Sequence, residues 1–150
     1  VPIFDLPLEH PMSKKRRYAL IALAFVILGA GGLWYLLRFH RERVTVHHFM
    51  EAVIAGNMQQ AYQIWQPSPS YSFQDFLNDW GPNGYYGPVR SSRIEHSEAP
   101  KGGGSSVIIK LQVSPDQPFP ADDSAVGENK VKEVELWVDV KDQSISFPPY

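Results

Sequence analysis

Cysteine is absent from the chain. Its absence excludes disulfides, thiolate metal sites and covalent c-type haem attachment, and it suits an oxidising compartment without demonstrating one. Also missing are an HExxH metal motif, a nucleophile elbow, a phosphate-cradling glycine loop and a flavin fingerprint. The absence with the largest consequence is local: Tyr18 to Leu37, YALIALAFVILGAGGLWYLL, is twenty residues without Asp, Glu, Lys or Arg.

As a helix rising about 1.5 Å per residue, that stretch spans roughly 30 Å, the hydrocarbon thickness of a bilayer. Ten of its residues are Leu, Ile, Val or Phe, and at about −0.3 to −0.6 kcal/mol each they favour insertion by roughly 3 to 6 kcal/mol. A buried core helix of this length would carry a polar stripe, and none is visible. A cleavable signal sequence shares the basic flank of Lys14, Lys15, Arg16 and Arg17 but has a shorter apolar run. It also needs small residues where this chain has Trp34 and Tyr35. Those two rings, with Tyr18 at the other end and Arg38 and Arg41 beyond, suit the headgroup boundary of a transmembrane helix. Ala19, Ala22 and Gly29 fall on one face, where another helix could approach, though no GxxxG is present.

Charge divides the chain. Residues 1–43 hold seven Lys/Arg and three acids, a balance of +4, whereas residues 44–150 hold seven Lys/Arg and thirteen acids, a balance of −6. A basic collar beside an acidic domain argues against nucleic acid as partner. Four contiguous cations before the span outweigh Arg38, Arg41 and Arg43 after it, so the positive-inside rule places the N-terminus in the cytoplasm and the C-terminal domain outside. The expected division is a cytoplasmic tail with basic cluster over 1–17, the span over 18–37, a basic connection over 38–43 and an extracytoplasmic domain over 44–150. About 107 residues follow Arg43, enough for one core and too few for two.

Residues 1–13, VPIFDLPLEHPMS, have three prolines and no periodicity, and read as an extended tail on the membrane surface. After the span, Val46, Phe49, Met50 and Val53 recur at helical spacing and Gly56 is placed to end that helix. Asn57 with Gln60 forms a capping pattern for a second helix burying Ala61, Ile64 and Trp65. Ser72 with Asp75 announces a third, with Phe73, Phe76, Leu77 and Trp80 on its apolar side. The period then changes. Val107, Ile109, Leu111 and Val113 alternate with Ile108, Lys110 and Gln112, and Val134, Leu136, Val138 and Val140 with Glu133, Glu135, Trp137 and Asp139, so both segments read as half-buried strands. A weaker strand is expected around Val89 to His96, joined through Gly102-Gly103-Gly104. Helices followed by an antiparallel meander define an α+β domain. The connection 114–130 is long; it reads either as an excursion or as a docking loop whose Phe119, between Pro118 and Pro120, meets a partner.

The phrase VHHFMEAVIAGNMQQAYQIW, followed by SFQDFLNDWG and by VELWVDVKDQSISF, resembles the nuclear transport factor two-like superfamily over about residues 44–147. Its most specific part is Phe49, Ala52, the Gly56-Asn57 turn, Ala61 and Tyr62. The resemblance implies a cone, with helices packed into a curved antiparallel sheet. It also implies an Asp or a His/Asp pair inside the cone in catalytic members, and no residue here aligns to such a pair. The superfamily holds both enzymes and non-catalytic modules, so fold gives little licence for function.

Candidate chemistry is thin. His47 and Glu51 share a helical face and would supply two metal ligands, short of the three or four of a stable zinc site; they, His48 and His40 read as exposed residues. Asp75 and Asp79 lie one turn apart, but Asp75 is better used as a capping partner and Asp79 as a solvated residue beside Trp80. His96 and Tyr62 are candidates to face the cone. Tyr85, Tyr86, Phe119 and Trp137 are the candidate partner contacts, since aromatics in turns and on an outer sheet face suit protein interfaces. Trp80 itself reads as core. The sequence therefore points to a non-enzymatic, single-pass accessory or structural subunit of a larger bacterial membrane complex, respiratory or photosynthetic, in the cytoplasmic membrane. Its expected partners are the lipid bilayer and other subunits, with no cofactor. The alternatives are a membrane-tethered ligand-binding or enzymatic cone, and an envelope module beside cell-wall enzymes.

Overall fold

Lys14 to Leu37 form one continuous helix, α1, of 24 residues with no buried side chain. The computed structural model describes residues 13–121 and 131–149; all of the expected tail 1–13 but Ser13, and the end of the 114–130 connection, lie outside them. The chain divides into two units between Arg38 and Phe39. In the first, α1 begins a turn before the apolar run, so Lys14, Lys15, Arg16 and Arg17 are its opening residues. At its other end the Arg38 guanidinium lies 5.9 Å from the Trp34 ring centroid. This helix is long and apolar enough to cross a membrane.

The second unit is α+β. Three helices, α2 (His40–Ile54), α3 (Met58–Trp65) and α4 (Phe73–Trp80), precede a meander of β1 (Ser91–Glu98), β2 (Ser106–Ser114), β3 (Lys132–Asp139) and β4 (Ile145–Ser146). The strands pair antiparallel in chain order. Helix boundaries follow local chemistry. Gly56, at φ 77°, ends α2: its N–H reaches the Val53 carbonyl and the Asn57 N–H the Ala52 carbonyl, a Schellman arrangement. Asn57 then caps α3, its Oδ1 accepting from the Gln60 N–H at 3.2 Å and its Nδ2 donating to Gln60 Oε1. Ser72 and Asp75 form a full capping box at the start of α4. Ser72→Ala is expected to cost about 1 kcal/mol, read as a melting temperature lower by about 4–8 °C.

The box also fixes a pH dependence. Hydrogen bonds from the Ser72 hydroxyl, then from its backbone N–H, hold the Asp75 carboxyl below its ordinary range. A depressed carboxylate contributes stability at neutral pH that fades only as pH falls from about 3.9 toward the lowered value. In Ser72→Ala that acid-side component should be smaller, as urea melts at pH 3 and pH 7 would reveal.

Carbonyls at the end of α4 are satisfied by the turn Gly81-Pro82-Asn83-Gly84-Tyr85-Tyr86-Gly87. The N–H groups of Gly81, Tyr85 and Tyr86 donate to the Leu77, Asn78 and Asp79 carbonyls at 2.9, 2.8 and 2.8 Å. The wrap is so close that a β-carbon on Gly87 would overlap the Gly81 carbonyl oxygen.

The core lies between the helices and one sheet face. Val46, Phe49, Met50, Ala52 and Val53 of α2, Ala61 and Trp65 of α3, and Phe76 and Trp80 of α4 meet Val107, Ile109, Leu111, Val113, Val134, Leu136, Val138 and Ile145. Ile64, Phe73 and Tyr62 sit partly buried at its edge. Two expectations need correction. Val140 is exposed, because β3 ends at Asp139 and the turn closed by Gln143 N–H to Asp139 O begins there. The first strand starts at Ser91, and a bulge between Ile94 and His96 shifts its phase. Without that extra residue His96 would follow Ile94 onto the core face; with it His96 pairs Lys110 outside and Ser97 pairs Ile109 inside.

Candidate functional site

Three surfaces carry the chemistry of the described residues. The first is α1 itself. Tyr18, Trp34 and Tyr35 are about two-thirds exposed, and the flanking cations Lys14, Lys15, Arg16, Arg17, Arg38 and Arg41 and the small residues Ala19, Ala22 and Gly29 are exposed too. An uncovered run including Leu20, Ile21, Leu23, Phe25, Val26 and Leu28 far exceeds the few hundred Å² that a soluble monomer normally leaves to water.

The second is the sheet face turned away from the core. Its rows are Arg93–Gln112–Glu133, His96–Lys110–Glu135 and Glu98–Ile108–Trp137–Ser146. Trp137 is half-buried there, with its indole N–H donating to Glu135 at 3.0 Å, and its cross-strand neighbour Ile108 is buried despite facing away from the core. Lys110 lies 3.1 Å from Glu98, which also meets His96; the Lys110 hydrogen bond and charge hold the Glu98 carboxyl below its usual range and raise the Lys110 ammonium in return. His96 is thus an exposed member of an ion-pair row and does not face the interior.

Candidate partner aromatics sort differently from the expectation. Tyr85 is 66% exposed, with the Lys132 ammonium 4.5 Å from its ring centroid. Tyr86 belongs to the core edge: it stacks on Trp80 at 4.9 Å and on Phe147 at 6.1 Å. Phe119 is half-buried, and the group over its ring, at 4.7 Å, is Arg93 of the same chain. Asp79 is not merely solvated. It accepts from the Tyr71 hydroxyl at 2.5 Å, and burial, then this hydrogen bond, pushes that phenol well above its usual range. Tyr62 donates to the Tyr71 carbonyl at 2.8 Å, so its hydroxyl holds a loop rather than a ligand. His47 and Glu51 do meet, at 3.3 Å, both exposed. No group of three or more His, Asp or Glu that could hold a metal is found among the described residues.

The third surface is a groove of about 720 Å³ between α2, α3 and the β3–β4 turn, lined by Thr45, His48, Glu51, Ala52, Ala55, Gln60, Ile64, Gln66 and Gln143. Gln66 and Gln143 line it through a backbone conformation that no residue spacing announces. Gln66 at φ 51° and Gln143 at φ 61° are the non-glycine residues with left-handed backbone among those described. Such a conformation costs of order 1 kcal/mol or more and gathers at functional positions. Their amides are deployed. Gln66 Nε2 donates to the Asp142 carbonyl at 2.9 Å, and Gln143 accepts from Thr45 at 2.8 Å while donating to the buried Glu42 at 3.2 Å.

Compared with protein-family models, curated proteins and solved structures, the chain matches none.

Proposed function

We propose that this chain is a single-pass, membrane-anchored accessory or structural subunit of a larger bacterial membrane complex, respiratory or photosynthetic, working through protein contacts. On this reading α1 spans the cytoplasmic membrane, the basic end stays in the cytoplasm and the acidic unit lies outside it. The second unit is a small nuclear transport factor two-like cone. One observation supports contact over catalysis most directly: the side of the sheet where a cone enzyme would place its acid and base is packed with rings. Phe49 meets Trp80 at 5.0 Å and Trp65 at 5.2 Å, and Trp65 meets Phe147 at 5.0 Å. Polar chemistry lies instead on the outer sheet face and in the helical groove, where partners reach it.

Native mass measurement after mild detergent extraction tests the reading. A species heavier than the 17.0 kDa chain, containing other polypeptides, is expected; a lone monomer from the native membrane would sink it. Because the chain has no cysteine, single cysteines at Ser13 and Ser105 give a clean topology test in whole cells. Labelling of the second alone by an impermeant maleimide is expected.

A further inference from the structure

We propose that the free edge of β3, at Glu133 and Glu135, takes an added strand from a partner polypeptide: an extended segment carrying a basic, an apolar and a basic residue in succession. The inference rests on the contact-making role proposed above and gives that contact a place and a chemistry.

β3 runs from Lys132 to Asp139, whereas its outer neighbour β4 is only Ile145–Ser146 and pairs with Trp137 and Val138 alone. The peptide groups of β3 point to its two sides in turn. The Val140 N–H donates to Ser105, on the β2 side, and the Asp139 N–H to Ser144, on the β4 side. Pairing with β2 keeps step from Lys132 to Asp139 without a bulge, so the same alternation carries back along the strand. Lys132, Val134 and Leu136 therefore bond β2, while Glu133 and Glu135 turn their N–H and C=O groups outward. Among the described residues no backbone partner meets those groups. The residue in line to pair with Glu135 is Pro148, which has no N–H to give. It lines a hollow with Ser68, Ser70 and Tyr71 of the loop before α4 instead. An extended chain meets such a row group for group. The opposite edge does not compete, because the bulge between Ile94 and His96 breaks the row in β1.

Side chains choose the segment. Glu133 and Glu135 share the sheet face turned away from the core, the first exposed and the second half-buried. Neither makes an ion pair among the described residues: Lys110 closes on Glu98, and Lys132, on the helix side, lies over the Tyr85 ring. Opposite charges stabilise directly facing residues of neighbouring strands, so lysine or arginine belongs opposite each carboxylate. The residue between them points to the helix side, where Tyr86 and Phe147 are half-buried at the core's border. An aliphatic side chain fits there.

Hydrogen exchange of the full chain, labelled with nitrogen-15 in detergent micelles, reads the edge before any ligand is added. The Val134 and Leu136 amides are expected to exchange slowly and those of Glu133 and Glu135 fast. The probe is the peptide acetyl-Thr-Lys-Val-Lys-Thr-amide. At about 100 times its Kd it should slow the Glu133 and Glu135 amides about a hundredfold. One control carries glutamate for both lysines; another is methylated on both lysine backbone nitrogens, which keeps the charge and removes the donors. Each should bind about tenfold more weakly. Glu133→Lys, at an exposed position, should weaken the lysine peptide about two- to fivefold and strengthen the glutamate one. Slow exchange at Glu133 and Glu135 in the free chain, equal binding of the methylated peptide, or equal binding of the glutamate peptide overturns the inference. Protection that grows with the chain's own concentration, without peptide, overturns the partner polypeptide in favour of a second copy. Native mass measurement separates the two ideas: a lone monomer whose edge takes the lysine peptide rejects the subunit reading alone, and a chain recovered from a complex whose edge ignores the peptide rejects the edge alone.

Discussion

Trp80→Ala is expected to remove most or all of the stability of the α+β unit. Trp80 is fully buried and touches Phe49, Trp65, Tyr86 and Phe147 at centroid distances of 5.0, 6.0, 4.9 and 6.3 Å. It joins α2, α3, the wrapped turn and the strand end around one ring system. Truncating such a residue costs about 3–5 kcal/mol, against a total near 5–15 kcal/mol for a typical domain. Urea melts of the full chain followed by near-ultraviolet circular dichroism would report it. Trp80→Phe gives the contrast. The indole N–H is buried with no partner among the described residues, and an unmade hydrogen bond of that kind costs about 1–3 kcal/mol. Removing it offsets part of the lost volume, so the phenylalanine variant should fall by about 1 kcal/mol. Equal damage from both variants would refute this account of the core.

On the proposed reading that α1 crosses a membrane, aspartate at both Ala24 and Leu28 is expected to release the protein from it. Each charge near a helix centre costs about 2.5–3.5 kcal/mol on the insertion scale, and two together cost about 5–7 kcal/mol. That matches or exceeds the roughly 3 to 6 kcal/mol supplied by the ten large apolar residues of the stretch. Neither residue belongs to the second unit's core, so its urea melt should be unchanged while flotation with membranes is lost. A variant that still floats would mean that α1 is held by something other than lipid.

The elements readable in the chain were those with a strict period and a chemical stop. Val107, Ile109, Leu111 and Val113 recur at every second position, and β2 covers them all. Asn57 and Ser72 sit where an N-cap must, and the helices start there. What failed was phase and long-range partnership. The bulge after Ile94 leaves no mark in SSRIEHSE, yet it decides which face receives His96. Tyr86 and Tyr85 are neighbours of the same type, and only the wrap of the turn around the end of α4 puts one on Trp80 and leaves the other in solvent. Phe119 meets Arg93 across 26 residues of chain, a distance over which spacing carries no information. Glu42 reads as one more acid in HRERV, but it is 4% exposed and accepts a hydrogen bond from Gln143, far along the chain. Likewise no residue preference announces a left-handed glutamine, so the groove walls had to be seen.

That same bulge in β1 bears on how copies of this protein tolerate crowding. β1 is an outer strand of the sheet, and an outer strand offers unpaired peptide groups to any neighbour that comes alongside. Here the offer is withdrawn twice: the ladder loses step between Ile94 and His96, and Arg93, Glu95, His96 and Glu98 place ionisable groups along it. A straight, uncharged strand in this place would recruit its own kind into ever longer sheets. The kinked one keeps each molecule's hydrogen bonds to itself and leaves association to side chains, which can choose.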